Sequence, residues 1–195
     1  TNKYQFSTRL KMQGKNIVNT NEAKLLGTTI TSDLTWSKNT SRIIKKAYAS
    51  MQIVRKLYSF SLPTEDLITI YQIYVRSILE QSSVVWHSSL TEAGRTDLER
   101  VQKIALRIIL KDLYISYESA LKKVGLETLD ERQKYLCLSF AKSCTKTSNN
   151  CNMFPLNKYD IQTRTKEKYV VQHASTDRLK YSAIPYMQRL LNKHS

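Results

Sequence analysis

Three cysteines stand at seven-residue intervals, Cys137, Cys144 and Cys151, and together with His173 they are the first residues to weigh as metal ligands. Zinc sites pair their ligands two to four residues apart, and this set contains no such pair. Seven residues is two helical turns, so Cys137 and Cys144 are expected on one side of a helix as small buried groups. An odd number of cysteines also argues against a disulfide framework. Two-metal chemistry of the polymerase kind needs paired carboxylates, and the chain has no Asp-Asp dipeptide. A phosphate-binding glycine loop, an HExxH pair and a Gly-x-Ser-x-Gly elbow are equally missing from the sequence. His87, beside Trp86 at the end of an apolar run, is either a structural histidine or a group that stacks on or donates to a ligand.

What the chain does carry is positive charge. Its 31 Lys and Arg against 16 Asp and Glu leave a net +15. That exceeds what solubility needs and points to a polyanion, nucleic acid ahead of an anionic membrane surface. Arg100, Lys103, Arg107 and Lys111 fall within about a quarter-turn of one helix face, with no acid among them. Such cations repel one another unless an anion lies alongside or solvent screens them. Arg42, Lys45 and Lys56 form a second row, with Lys46 and Arg55 at its margins. Of the twelve tyrosines, Tyr71 and Tyr74 read as core. Tyr117, Tyr169, Tyr181 and Tyr186 lie among basic residues, as amphipathic surface side chains or as stacking platforms.

The elements that must position these residues are mostly helices, because only 4 Gly and 3 Pro interrupt the chain. Residues 3–10, 15–20 and 23–31 read as short strands, the edge of a sheet whose remainder lies upstream. From Ser37 the period becomes helical, with Ile43, Ala47, Met51, Val54 and Tyr58 on one stripe. Pro63 opens a second helix to Glu80 that is apolar almost all round except for Gln72, Arg76 and Glu80, so it belongs in the middle of a bundle. A third helix is expected from Asp97 to Lys111, with Leu98, Val101, Ala105, Ile108 and Ile109 inward. Two more follow: one from Ser116 to a capping Gly125, and one with Thr128 and Glu131 at capping-box spacing. A strand at 167–173 and a short helix near 185–192 complete the pattern. No apolar run is long enough to span a bilayer, and nothing resembles a signal peptide. The chain opens on Thr1, as a piece of a longer protein would, and an intracellular location is expected.

In this order the residues resemble the region after the palm in reverse transcriptases of jockey-like non-LTR retrotransposons. LLGTTITSDLTWSKN is similar to the family's Leu-Gly block, and IYQIYVRSILEQSSVVWHSS to its Tyr-x-x-x-Val/Ile-Arg-x-x-Leu-Glu segment ending in tryptophan. DLERVQKIALRIILKD resembles the Leu-Glu-x-Val-Gln-Lys-x-Ala helix. ALKKVGLETLDERQKYLCLSFAK resembles the Leu-Gly-Leu-x-x-Leu-x-x-Arg block, and RLKYSAIPYMQRLLN the usual terminus. The likeness covers most of residues 22–195. Gln81 and Ser77 depart from it, standing where Tyr and Pro are common.

The resemblance implies a mainly α fold: a helical thumb-like bundle over residues 37–146, preceded by an end-of-palm β segment over 1–36 and followed by a basic extension over 147–195. It implies an RNA–DNA template–primer duplex as partner, held by Arg100, Lys103, Arg107 and Lys111, with Arg42, Lys45 and Lys56 behind them. Leu26 and Gly27 would lie near the primer end, as in a primer grip. No cofactor is expected in this chain, since Mg2+ would belong to a palm domain upstream, itself a partner, and no membrane contact is expected. In an active element the site of action would be nuclear. The alternative is a stand-alone, domesticated or decayed module that binds nucleic acid or protein.

Overall fold

A computed structural model describes residues 11–18, 20–147, 150–157 and 167–194. The fold is mainly helical, as expected. The N-terminal part holds two small antiparallel hairpins, β1 (Lys11–Met12) with β2 (Lys15–Asn16) and β3 (Glu22–Leu25) with β4 (Thr28–Thr31). The expected strand over 23–31 is therefore two strands that reverse at Leu26-Gly27. Among the described residues of the expected strand over 15–20, only Lys15–Asn16 pair, and the one over 3–10 lies outside the described residues.

Both turn residues have positive φ, 47° at Leu26 and 81° at Gly27, the geometry that suits a two-residue hairpin. Glycine tolerates it freely and leucine does not. The turn is held by tertiary contacts instead. Arg42 donates from its guanidinium to the Gly27 carbonyl, and Gln81 Nε2 lies 3.5 Å from the Leu26 carbonyl oxygen. A β-carbon at Gly27 would come within 2.6 Å of that Nε2. Gly27→Ala is accordingly expected to cost about 1 kcal/mol, read as a lower urea midpoint at unchanged slope. Because Gln81 is flexible and the φ strain is not, adding Gln81→Ala should restore little of that loss.

The long helix α1 (Ser37–Ser59) buries Ile43, Ala47, Met51 and Val54, with Tyr58 half-buried. It stops before Ser61, whose φ is 57°. After Pro63 comes α2 (Thr64–Tyr71), with Glu65 and Asp66 in the first turn where the helix dipole favours them. The helix runs on through a π-helical stretch, Gln72–Arg76, into α3 (Ser77–Glu80). This composite helix is not enclosed. Its Leu67, Tyr71, Val75 and Leu79 pack inward, but Ile73 is 57% and Tyr74 50% exposed. The expectation of all-round burial, and of Tyr74 in the core, fails because α1 and the helix over Glu92–Leu110 cover only one side. Its polar strip is instead half-buried: Arg76 and Arg132 both pair with Glu80, at 3.1 and 3.2 Å.

A short α4 (Ser83–Trp86) buries Trp86, whose indole donates to the Gln81 carbonyl at 3.0 Å. Helix α5 spans Glu92–Leu110, starting five residues earlier than expected because the Thr91 hydroxyl caps it at Gly94 N, 3.2 Å away. Helix α6 (Tyr117–Val124) runs between the Ser116 cap and a left-handed Gly125, and α7 (Leu129–Lys146) opens with the Thr128–Glu131 capping box, all as the sequence indicated.

The C-terminal segment contains α8 (Asp177–Lys180) and α9 (Ala183–Lys193). Met187 and Leu191 of α9 join Phe154, Tyr169 and the Cys137, Ala141 and Cys144 face of α7 in a second hydrophobic cluster. The two helix cysteines are buried, as their spacing predicts, and burial pushes the Cys137 thiol up to about 12. The expected strand at 167–173 does not form beyond a single bridge, Leu156 to Tyr169. Side chains take the place of a ladder there. Asn192 binds both the N–H and the carbonyl of Tyr169, at 2.8 and 2.9 Å, and Gln188 Oε1 accepts from Gln172 N at 2.7 Å. No helix of the described residues is long and apolar enough to cross a membrane.

Candidate nucleic-acid interface

The outward face of α5 brings three of the four predicted cations together. Arg100 and Arg107 are exposed and seven residues apart, a rise of about 10 Å along the axis, with Lys103 between them and half-buried. Lys111 falls outside the helix, where α5 ends on a residue with φ 43°, so it extends the row only from a turn. The face is also not free of acid, because Asp97 pairs with Arg100 at 3.4 Å. Both groups are exposed, so that pair is weak and exchangeable.

Two tyrosines that sequence reasoning did not tie to this face lie against its cations. The Lys103 ammonium is 4.9 Å from the centre of the Tyr117 ring, and the Arg107 guanidinium 5.3 Å from that of Tyr114. Each ring restrains a long flexible side chain without neutralising it. Tyr117 is fixed from within the core. Its hydroxyl donates to Glu99 and accepts from Gln102 Nε2 at 2.9 Å, while Gln102 Oε1 accepts from the buried Tyr71 hydroxyl at 2.8 Å. Glu99 also accepts the Leu129 N–H at the start of α7. Burial and the Glu99 hydrogen bond raise the Tyr117 hydroxyl well above its ordinary value, so it stays a donor. Of the two alternatives for Tyr117, the half-buried ring with an anchored hydroxyl fits the amphipathic side chain. Tyr169 is buried and Tyr186 half-buried, leaving Tyr181, at 47%, the exposed member of that set.

The second row is divided. Lys45 and Lys56 are exposed on α1, about 16 Å of helix apart. Arg42 instead turns towards the hairpin, donating to the Gly27 carbonyl and, at 3.2 Å, to Asn39 Oδ1, which also accepts the Thr29 N–H at 3.1 Å. Its role in the structure is to latch β3–β4 onto α1. The latched turn presents Leu26 at 89% exposure, the most exposed large apolar side chain of the described residues.

His87 is not at this surface. It is fully buried, with Nδ1 2.9 Å from Gln133 Oε1 and with Arg95 and Asp130 beside it, so the structural reading of this histidine holds. Arg95 spans the gap between α5 and α7, pairing with Asp130 at 2.5 Å and donating to the His87 carbonyl at 3.0 Å. Next to it lies an open cleft of about 630 Å³, walled by α5 from Glu92 to Lys103, by Thr128, Asp130 and Lys134, and by Tyr181, Tyr186 and Arg189. No group of metal-ligating residues occurs among the described residues.

No protein-family model, curated protein or solved structure matches the chain.

Proposed function

We propose that this chain is the template–primer-binding C-terminal part of a retrotransposon RNA-directed DNA polymerase, without the catalytic aspartates. The observation that carries the reading is the α5 crest: Arg100, Lys103 and Arg107 point outward from a helix whose inner face is locked into the bundle, with tyrosines restraining two of the three. Cations on a rigid helix can follow phosphates without reading bases, which suits a protein that must move along a duplex. The ordered sequence blocks support the family reading, and the crest supports the chemistry. The exposed Ile73 and Tyr74 and the protruding Leu26 fit a chain that packs against an upstream palm, where Mg2+ would be bound.

Fluorescence anisotropy of the full chain on an RNA–DNA primer–template tests the proposal. With about four to six phosphates engaged, log affinity should fall against log salt with a slope of roughly −4 to −5. A folded chain whose binding is absent or indifferent to salt would leave the likeness as ancestry alone and favour the stand-alone protein-interaction module.

A further inference from the structure

The cleft beside α5 shares Lys103 with the crest, and its other walls differ in kind from an open basic face. Its lining holds four cations against three acids, and most of the acid is already engaged. Asp130 accepts from Arg95 and from Lys134, each at 2.5 Å. Glu99 is occupied by the Tyr117 hydroxyl and the Leu129 N–H. Glu92 sits in the first turn of α5, where the helix dipole offsets its charge. Lysine and arginine, by contrast, carry more donors than these contacts use.

At the rim stands Tyr181. Its backbone carbonyl is fixed by the Ser89 hydroxyl at 2.8 Å, the Lys180 ammonium lies 5.5 Å from its ring centre, and Arg189 donates to the adjoining Lys180 carbonyl. An exposed aromatic ring on an anchored backbone, with cations around it, is what a stacked base with its phosphate requires. The same tyrosine borders a second cleft, of about 730 Å³, but that one carries Asp33, Asp97 and Asp177 against Arg178. Its charge turns a phosphate chain towards the first. A space of about 630 Å³ is of small-ligand size and admits a nucleotide or two, not a duplex.

We infer that this cleft receives a single-stranded extension of the duplex held on the α5 crest, with Tyr181 as the stacking platform and Lys103 as the handover between the two. The inference rests on the reading of the crest as a duplex site. It is tested by anisotropy of the full chain on two RNA–DNA duplexes, one blunt and one whose DNA strand extends by roughly six unpaired nucleotides. The extension should tighten binding by about tenfold. Tyr181→Ala should remove most of that gain and leave the affinity for the blunt duplex unchanged, which also shows the variant folded. Tyr181→Phe should keep the gain, and Arg189→Ala should reduce it. Blunt-duplex binding with no gain from the extension, or a gain that survives in Tyr181→Ala, overturns the inference and leaves the duplex reading standing. Failure to bind the blunt duplex overturns both.

Discussion

Replacing Arg100, Lys103 and Arg107 together by alanine should weaken binding to an RNA–DNA duplex about a hundredfold at about 0.1 M salt. The affinity of such a surface comes from counterions that phosphates release when a cation takes their place. Each contact contributes about 0.9 to the slope of log affinity against log salt, so three lost contacts flatten it by between about 2 and 3. The two effects must appear together. A loss of affinity at constant slope would mean the triple variant had disturbed the fold or a non-ionic contact. Arg100 and Arg107 are exposed and contribute little packing, whereas Lys103 lies against Tyr117 and covers part of it. A thermal melt therefore accompanies the binding measurement, and Lys103→Gln, which keeps most of the stem, separates charge from packing.

The single changes should rank by placement. Arg107, exposed and restrained by Tyr114, should matter more than Arg100, which must first leave Asp97. Lys111, beyond the helix end, should matter least of the four. Lys45→Ala with Lys56→Ala probes the other row. If that pair flattens the slope and the α5 triple does not, the duplex lies along α1 and the crest is a solvated face.

The sequence made the helices legible because each is written twice, once in its apolar period and again in its ends. Ser116, Gly125 and the Thr128–Glu131 pair mark boundaries that the structure keeps. Where one of the two marks is weak, the boundary is not legible. Gly94 and the polar first turns of α5 hid its true start behind Thr91. The β3–β4 reversal was illegible for a different reason. A turn with positive φ at both centres normally announces itself with Asn or Asp before Gly, and here the residue is Leu26. Arg42 and Gln81, 15 and 55 residues away, hold the turn, and no local pattern records contacts of that kind. For the same reason Arg42, indistinguishable from its basic neighbours on a helical wheel, proved to be a latch. Apolar character likewise does not say whether a partner is present, so Ile73 and Tyr74 read as core and stand exposed. The crest itself was visible as charge at helical spacing. Its tyrosine supports are not, since Tyr114 and Tyr117 come from the segment after α5: Tyr117 is fixed to it by the Gln102 and Glu99 hydrogen bonds, and Tyr114 meets it through the Arg107 guanidinium.

Acid should loosen the bundle in a window set by one buried imidazole. Gln133 Nε2 donates to the Leu79 carbonyl at 2.9 Å, which leaves its Oε1 to accept from His87 Nδ1–H. The other ring nitrogen, Nε2, then faces the Arg95 guanidinium at 3.3 Å as a bare acceptor. A second proton would be placed in the core and against a cation. Burial first, and then Arg95 and Lys134, hold the His87 pKa down at about 4, although Asp130 and the Gln133 hydrogen bond pull the other way. The Tyr186 ring, edge-on at 6.2 Å, closes the site without adding charge. An unfolded histidine titrates near 6.5, so between those values the unfolded chain takes up a proton that the folded one refuses. Stability is therefore complete above about pH 6.5, declines as pH falls towards 4, and loses roughly 3 kcal/mol from this group in total. Asp130 takes over below that window. Burial alone would raise its carboxyl, but the Lys134 hydrogen bond and the surrounding cations hold it below the usual range, so its share is lost at still lower pH. Urea unfolding at pH 7, 5.5 and 4.5 should show the midpoint dropping across the series, and His87→Gln should flatten most of that drop while costing stability at pH 7. A wild-type midpoint constant from pH 7 to 4.5 would mean that His87 is not kept neutral by its surroundings. Because Arg95 and Asp130 join α5 to α7 around that ring, the same titration bears on the crest: below pH 5 duplex affinity should fall along with the fold, not ahead of it.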